Sequence, residues 1–418
     1  VSASDQARAT LLDVARLAGV SRSTASLAFS GAGPVSEATR AKVMAASASL
    51  GYSGPDPRAR SLRQGRSGVV GIVFDETLLS AFRDPVNVAT LDGIASGLGD
   101  GSNGLLLLTE TGAVESSIAS AAIDAAVLMG CSPVFDRVVV ELERRGVPVV
   151  SIEGGAGAAS ASGADPAPAA PAGPARVDVA LDNVEASETL ARHLHELGHR
   201  RVGVLSLATD PSRETGLITP EREAALTTTV TADRLAGVRR VFPDAVAVSS
   251  GWNSVDEAVR AARMLLGAAG DDGSGAQGGG AQGGGAQGGR SSRAGGGGLG
   301  GGDGLGVGER GGLGDGWGLG RVRPTAVLAQ SDLLAVGVLQ AAAELGLRVP
   351  EDLSLTGFDG VPIGGLAGHD LTTMVQPAAE KGREAGRAVR ALLAGEEVGS
   401  VVFRCTFHRG ATTAPPRA

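Results

Sequence analysis

The sequence predicts a short all-α head followed by a long α/β body built on doubly wound parallel sheets. Three observations carry that prediction. Residues 10–31 contain two helix-start signals on either side of a tight turn. From Val69 onward, apolar runs of strand length alternate with helical patterns, the grammar of a parallel sheet covered on both faces. Charge divides the same way: residues 1–66 hold nine Lys and Arg against four Asp and Glu, so in a chain of net charge −8 the head carries +5 and the rest −13. A small basic head on an acidic body suits a phosphate-binding module attached to something else.

The head divides into three predicted helices. Thr10 and Asp13 stand at capping-box spacing, and Val14, Leu17 and Ala18 repeat at helical spacing as an inner stripe. Gly19 supplies a permissive backbone for a turn, and Ser21 caps a second helix, 22–29. Val20, Ala25 and Ala28 face inward there, leaving Arg22, Ser23, Thr24, Ser26 and Ser30 as an outward face of donors. Two short crossed helices with a donor-rich second one fit a helix-turn-helix; a solvated helical hairpin is the plainer alternative. A third helix starts at Ser36, buries Val43, Ala46 and Leu50, and ends at Gly51. Pro55 and Pro57 then bar a helix, and a short basic segment, 58–63, is too brief to be stable alone.

In the body, strands are predicted at 69–74, 105–109, 126–129, 147–152, 177–181, 201–207, 325–330 and 353–358, with weaker ones at 245–249, 371–375 and 401–408. Helical patterns fall near 87–99, 113–123, 134–145, 184–197, 233–241, 254–266, 331–345 and 378–394. Two stretches break the alternation. Residues 154–175 are rich in Ala, Gly, Pro and Ser and read as a flexible loop. Residues 267–320 are about half glycine, with three Ala-Gln-Gly-Gly units, and read as a disordered insertion that buries too little to offset its ordering entropy. Cys131 and Cys405 make no metal-type spacing, and neither a signal-type apolar start nor a membrane-length run is present. A cytoplasmic protein in a reduced compartment is the expectation.

At these residues the chain resembles the lactose/galactose repressor (LacI/GalR) family of bacterial transcription regulators. The resemblance is strongest in Leu12-Asp-Val-Ala-Arg-Leu-Ala-Gly-Val-Ser-Arg-Ser-Thr24 and Val35-Ser-Glu-Ala-Thr-Arg-Ala-Lys-Val43. It continues through Gly51-Tyr52, Ala59-Arg-Ser-Leu-Arg63, His193 to Val204 and Asp233-Arg-Leu-Ala-Gly237. Its last matches are Ser331-Asp332, Leu347 to Ser354, Gly357-Phe-Asp359 and Leu371-Thr-Thr373.

The resemblance implies a two-lobed body like periplasmic sugar-binding proteins, with an effector cleft between the lobes. Domains would then be a DNA-binding head at 1–57, a hinge helix at 58–66, a first lobe at 67–181 and 377–399, and a second lobe at 182–376 and 400–412. Crossovers fall near Leu181–Asp182, Gln376–Pro377 and Gly399–Val401. Carried over by position, Arg22 and Ser23 would read bases in the major groove, an arginine there giving two hydrogen bonds to guanine. Leu27 stands where the family often has another arginine, and leucine offers a base only apolar contact. Thr10, Ser21, Thr24, Ser26, Ser30, Ser36 and Thr39 match phosphate-contacting positions. Ala59 and Leu62 match the hinge that wedges into the minor groove, although one extra residue separates Tyr52 from Ala59. Asp75, Arg234, Trp252, Ser331, Asp332, Asp359 and Gln376 match effector-pocket positions or equivalent strand ends, a mixture suited to a sugar or related polyol.

Two further motifs are weighed against this. His195-Glu-Leu-Gly-His199 spells a zinc-protease signature, but Gly198 and the strand that follows place His199 beyond the helix end. Gly99 to Gly104 spells a dinucleotide fingerprint but precedes its strand, so it reads as a turn. The expectation is a repressor that binds palindromic double-stranded operator DNA as a homodimer, controlled by a small molecule, without enzymatic activity, metal, cofactor or membrane attachment. An α/β enzyme with an accessory DNA-binding head, or a regulator sensing a partner protein, are the alternatives.

Overall fold

The computed structural model describes residues 9–30, 33–54, 65–99, 103–112, 117–154, 176–267, 323–362 and 368–417. The hinge positions Ala59 and Leu62, nearly all of the 154–175 loop and the glycine-rich stretch beyond Gly267 lie outside the described residues.

The head comprises α1 (Leu11–Leu17), α2 (Arg22–Ser30) and α3 (Glu37–Ser49). The capping box is formed: the Thr10 amide and hydroxyl donate to Asp13 Oδ2 at 2.9 and 2.6 Å, and the Asp13 amide returns a bond to Thr10 Oγ1 at 3.4 Å. Gly19 turns the chain at φ +66°. Val14, Ala15, Ala25, Ala28, Val43 and Ala46 make a small core, and Phe29 meets Tyr52 edge-on at 5.6 Å. Leu17 departs from expectation and stands 57% exposed. At 100° per residue it lies about 110° from the centre of the face shared by Leu11, Val14, Ala15 and Ala18. Leu50 likewise sits on the exposed side, after the end of α3.

The body continues with β1 (Val69–Phe74), α4 (Leu78–Ala81), α5 (Pro85–Leu98), β2 (Gly104–Thr109), α6 (Ser117–Ser120), β3 (Ala125–Met129), α7 (Val134–Arg144), β4 (Val149–Ile152) and β5 (Arg176–Leu181). Next come α8 (Asn183–Glu196), β6 (Val202–Ser206), β7 (Gly216–Leu217), α9 (Pro220–Ala224), α10 (Thr229–Arg239), β8 (Val246–Ser249) and α11 (Val255–Gly267). The chain closes with β9 (Ala326–Ala329), α12 (Asp332–Glu344), β10 (Ser354–Asp359), β11 (Thr372–Val375), α13 (Ala378–Ala394), β12 (Val401–Phe403) and β13 (Thr406–His408). The helices α4 and α9 and the strand β7 were not foreseen, and the predicted helix at 113–123 is reduced to α6 among the described residues.

Two compact units result: Val1–Leu181 with Pro377–Arg404, and Asp182–Gln376 with Cys405–Ala418. In the first, a six-stranded parallel sheet runs β12-β5-β4-β3-β1-β2. Apolar residues on one sheet face pack with α5 and α13, and those on the other with α6 and α7. The α5–α13 contact is made through glycines: a Cβ at Gly382 would lie 2.0 Å from the Thr90 carbonyl oxygen, and one at Gly93 2.1 Å from that of Ala379. Only residues without a side chain let the two backbones approach so closely.

The second unit holds a seven-stranded sheet, β13-β11-β10-β9-β6-β8-β7, parallel except for its two edge strands. Leu205, Val327, Leu334, Leu355 and the alanines of α11 and α12 form its main core. The single strand expected at 401–408 is two strands in different sheets. The last crossover therefore falls at Arg404–Cys405, later than the expected Gly399–Val401, and β12 belongs to the first unit.

Candidate functional site

In the head, each helix begins on a hydroxyl side chain. Ser21 Oγ accepts the Thr24 amide at 3.0 Å and lies 2.7 Å from Ser23 Oγ and 2.8 Å from Thr24 Oγ1. Ser36 Oγ accepts the Thr39 amide at 3.3 Å and is 2.8 Å from Thr39 Oγ1. The hydroxyls of Thr10, Ser21 and Ser36, expected to reach phosphates, thus also cap α1, α2 and α3. A capped helix N-terminus concentrates donors and positive potential where an anion can approach. No acid occupies the first turn of α2; Arg22, Ser23 and Leu27 are exposed on it, Ser26 is half-buried, and Ser30 Oγ donates to the Leu27 carbonyl at 3.3 Å. Leu27 leans against Gly33, where a Cβ would come within 3.2 Å of its side chain.

The chain enters the body through residues that sequence reasoning passed over. Asp124 accepts the amide and hydroxyl of Ser67 at 2.7 and 2.9 Å and the Gly68 amide at 2.7 Å. Arg66 donates to the Leu393 carbonyl, in the last turn of α13, at 2.9 Å.

In the second unit, six of the seven expected effector residues gather at the carboxyl ends of the strands or in the helix beside them. Arg234, in α10, is 3% exposed. It donates Nε to Asn183 Oδ1 at 2.8 Å and Nη1 to the Gln330 carbonyl, lies 3.7 Å from Asp359 Oδ1, and stacks 3.6 Å over Phe358. Asp359 takes φ +116°, a strained backbone of the kind that collects at binding sites. Its Oδ1 accepts Gln376 Nε2 at 2.6 Å. Ser331 caps α12 through the Leu334 amide at 3.1 Å and donates to Asn253 Oδ1 at 2.6 Å. Asp332 is fully buried and accepts Thr373 Oγ1 at 2.8 Å and the Val361 amide at 3.0 Å. Burial pushes its carboxyl up to about 6, against the pull of those donors and of Arg234. Trp252, after β8, is half-buried with the Arg213 guanidinium 4.2 Å over its ring.

Asp75 belongs to the first unit, at the end of β1, with its carboxylate close against Gly130. In the same sheet Glu110 follows β2, its Oε2 buried without a hydrogen-bond partner, and Glu153 follows β4, at φ +59° and paired with the buried Lys381. Sequence reasoning also missed Gln330, which accepts Ser206 Oγ and the Leu207 amide at 3.1 Å and donates to the Thr231 carbonyl at 3.3 Å. One signal was legible: Gln330 directly precedes Ser331-Asp332 at a strand end.

His195 and His199 are turned to different uses. His195 lies 5.9 Å from the Phe242 ring. His199 is buried, with Nδ1 2.9 Å from Thr325 Oγ1 and Nε2 3.0 Å from Ser354 Oγ and 2.9 Å from the Ala414 carbonyl. Burial holds its pKa below the ordinary value.

Comparison with known proteins matches residues 10–54 to the DNA-binding domain of bacterial regulatory proteins of the lacI family, and residues 307–413 to a periplasmic binding protein-like domain. The HTH-type transcriptional regulator IpsA of Corynebacterium glutamicum is 29% identical over 97% of this chain and 98% of its own length. Two solved structures share the fold. A lac repressor dimer bound to operator and the anti-inducer ONPF has TM-score 0.62 and 21% identity, over 97% of this chain and 99% of that one. A complex of the transcriptional regulator CelR with cellobiose has TM-score 0.55 and 22% identity, over 97% and 100%. With an N-terminal domain of that kind, a body of matching fold and a full-length relative that is a transcriptional regulator, the chain is a DNA-binding transcriptional regulator whose head, residues 10–54, is a lacI-family DNA-binding domain.

Proposed function

We propose that this regulator is a repressor that binds a palindromic operator as a homodimer, with α2 in the major groove. The observation that carries the reading is the face of α2. Arg22 and Ser23 are exposed at a hydroxyl-capped helix start without an acid in its first turn. Arg22 and Ser23 read base edges, while Thr10, Ser21, Thr24, Ser26, Ser30, Ser36 and Thr39 set register on the phosphates. Ala59 and Leu62 supply the minor-groove wedge. Leu27 supplies apolar contact in place of a second arginine, so the preferred operator differs at that base from those read by two arginines.

Pairing of two chains has a structural basis in the first unit. Leu79, Phe82 and Val88, on and after α4 and on α5, and Leu105 and Leu106 on the edge strand β2 are 38–63% exposed. Apolar side chains left open in this way mark an interaction surface. The protein works in the cytoplasm, and its effector is a sugar-like polyol that meets Arg234, Trp252, Ser331, Asp332, Asp359 and Gln376 in the second unit. The CelR–cellobiose complex, of the same fold, supports that class of ligand.

The test is fluorescence anisotropy on a palindromic duplex selected from a random pool, with single-base variants and with a polyol panel screened by thermal shift. Sequence-selective binding, halved in stoichiometry by Phe82→Glu, supports the reading. Binding that ignores sequence, or a monomer with full affinity, refutes it.

A further inference from the structure

We propose that the segment after β13, Thr412–Ala414, is an acid-released latch, held on the second unit by His193 and His199 only while both rings are neutral. The segment forms no helix or strand of its own and is fastened to β10 and β11. Thr412 is 2% exposed. Its carbonyl accepts the Leu355 amide at 2.8 Å, and its hydroxyl accepts the Thr372 amide at 2.9 Å and donates to the Leu355 carbonyl at 2.7 Å. Ala414 donates its amide to Ser354 Oγ at 3.0 Å. Two histidines complete the grip. His193, in α8, places Nε2 2.9 Å from Thr413 Oγ1 and its ring 5.2 Å from that of Phe407 in β13. His199, just beyond α8, has Nε2 2.9 Å from the Ala414 carbonyl and Nδ1 2.9 Å from Thr325 Oγ1. Consecutive residues of the segment are thus each bonded to a different imidazole.

The partners fix the proton positions. A carbonyl only accepts, so His199 Nε2 carries the hydrogen, and Nδ1 of the neutral ring accepts from the Thr325 hydroxyl. A second proton must sit on Nδ1, in a residue 1% exposed whose hydrogen-bond partners include no carboxylate. Burial therefore holds His199 below the ordinary histidine value, against the pull of the Ala414 carbonyl. Burial, then Arg409 after β13, holds His193 below it too; Glu196 of α8 opposes this and His199 adds to it. Of the other elements packed on α8, β9 and β11 carry no titratable side chain, and Asp233, Arg234 and Arg239 of α10 shift neither ring. On β13, His408 meets Asp370 at 2.7 Å on the exposed surface, a pair that acid strengthens only slightly, so β13 holds while the segment beyond it lets go. Arg417, past the segment, pairs with Asp352. Release is linked to proton uptake. Because the closed values lie below about 6.5, the latch is at full strength above that pH and weakens as pH falls. Each ring raises the open-to-closed ratio by up to about tenfold between pH 7.5 and 5.5, and the two together by up to about a hundredfold. The segment follows the crossover at Arg404–Cys405, so its release loosens the anchorage of that crossover in the second unit.

Amide hydrogen exchange of the full chain measures the opening, read by mass spectrometry over 406–417 from pH 7.5 to 5.5 and corrected for the intrinsic pH dependence of exchange. Opening of the parent rises at least tenfold over that range. His193→Gln and His199→Gln each lose a share of the rise, and the double variant is flat. His195→Gln, whose ring lies by Phe242, behaves as the parent. A parent whose opening does not change with pH overturns the inference. So do variants that exchange faster at every pH with the parent's slope, because the histidines then only pack. Histidine proton NMR on the parent needs no variant: two of the five histidines should titrate below 6.5, in step with loss of protection in the segment. Five histidines titrating together near 6.5 while the segment stays protected would also overturn it.

Discussion

Asp332→Asn is expected to stabilise the second unit at pH 8 and to lose most of that advantage on acidification. Asp332 is 1% exposed, and burial raises its carboxyl from 3.8 to about 6. A carboxyl whose folded pKa lies above its unfolded value lowers stability at high pH, and the deficit is relieved as pH falls through about 6 toward 4. At 1.36 kcal/mol per unit, the shift amounts to about 3 kcal/mol at pH 8. Asparagine keeps the shape and satisfies the same partners: Oδ1 accepts the Val361 amide, and Nδ2 donates to Thr373 Oγ1. It forgoes the attraction between a carboxylate and the start of α12, roughly 0.3–1 kcal/mol. The balance favours the variant by about 2 kcal/mol at pH 8, and linkage reduces the gap by about 1.5 kcal/mol at pH 5. Urea unfolding followed by Trp252 emission in a Trp317→Phe background, with and without Asp332→Asn at both values, measures this. A difference that stays constant with pH refutes the reasoning, because the effect would then come from packing and not from the buried charge.

Other perturbations probe the remaining contacts. His199→Gln costs about 1–3 kcal/mol at pH 8 by breaking a buried hydrogen-bond group. Because the folded pKa of His199 is depressed by burial, the parent loses stability as pH falls below about 6.5, where the unfolded chain takes the proton first; the variant's urea midpoint lacks that part of the decline. Arg22→Ala weakens operator binding by about 1–3 kcal/mol per half-site and flattens preference at one symmetric base pair, read by anisotropy on single-base variants. Equal loss on every sequence would make Arg22 a phosphate contact. Asp124→Ala frees the Ser67 and Gly68 amides at the entrance to the body, so effector response measured on the operator falls while effector-free affinity is kept. An unchanged response would show that this anchor carries no signal.

What the sequence reveals here is what short range determines. Thr10 and Asp13 form their capping box because both partners lie within one turn, and β1 and β3 are legible because strands buried on both faces are continuously apolar. The strand β7 was illegible because two residues pair only by virtue of β8, brought beside them by the fold. Nothing local marks Arg404–Cys405 as a boundary; the sheets on either side decide it. The site shows the same division. Strand ends locate Ser331, Asp332 and Asp359, but not that the donors of Arg234 go to Asn183 and Gln330, nor that Arg213 meets Trp252 from 39 positions away in the sequence. Lys381 and Glu153 are more distant still.

The double use of the C-terminal segment has a consequence for how the protein is made. Neither unit is continuous in the chain: the first takes Pro377–Arg404, and the second waits for Cys405–Ala418. The second unit's tail is bound in place, with the Thr412 hydroxyl donating to the Leu355 carbonyl at 2.7 Å and the Ala414 carbonyl meeting His199. During synthesis β5 and β11 therefore stand as edge strands until β12 and β13, made within a few residues of one another, add to them. A stop codon shortly before Val401 would leave both units incomplete. A break there damages both units at once, and the product is left with β5 and β11 uncovered instead of with one intact half that persists.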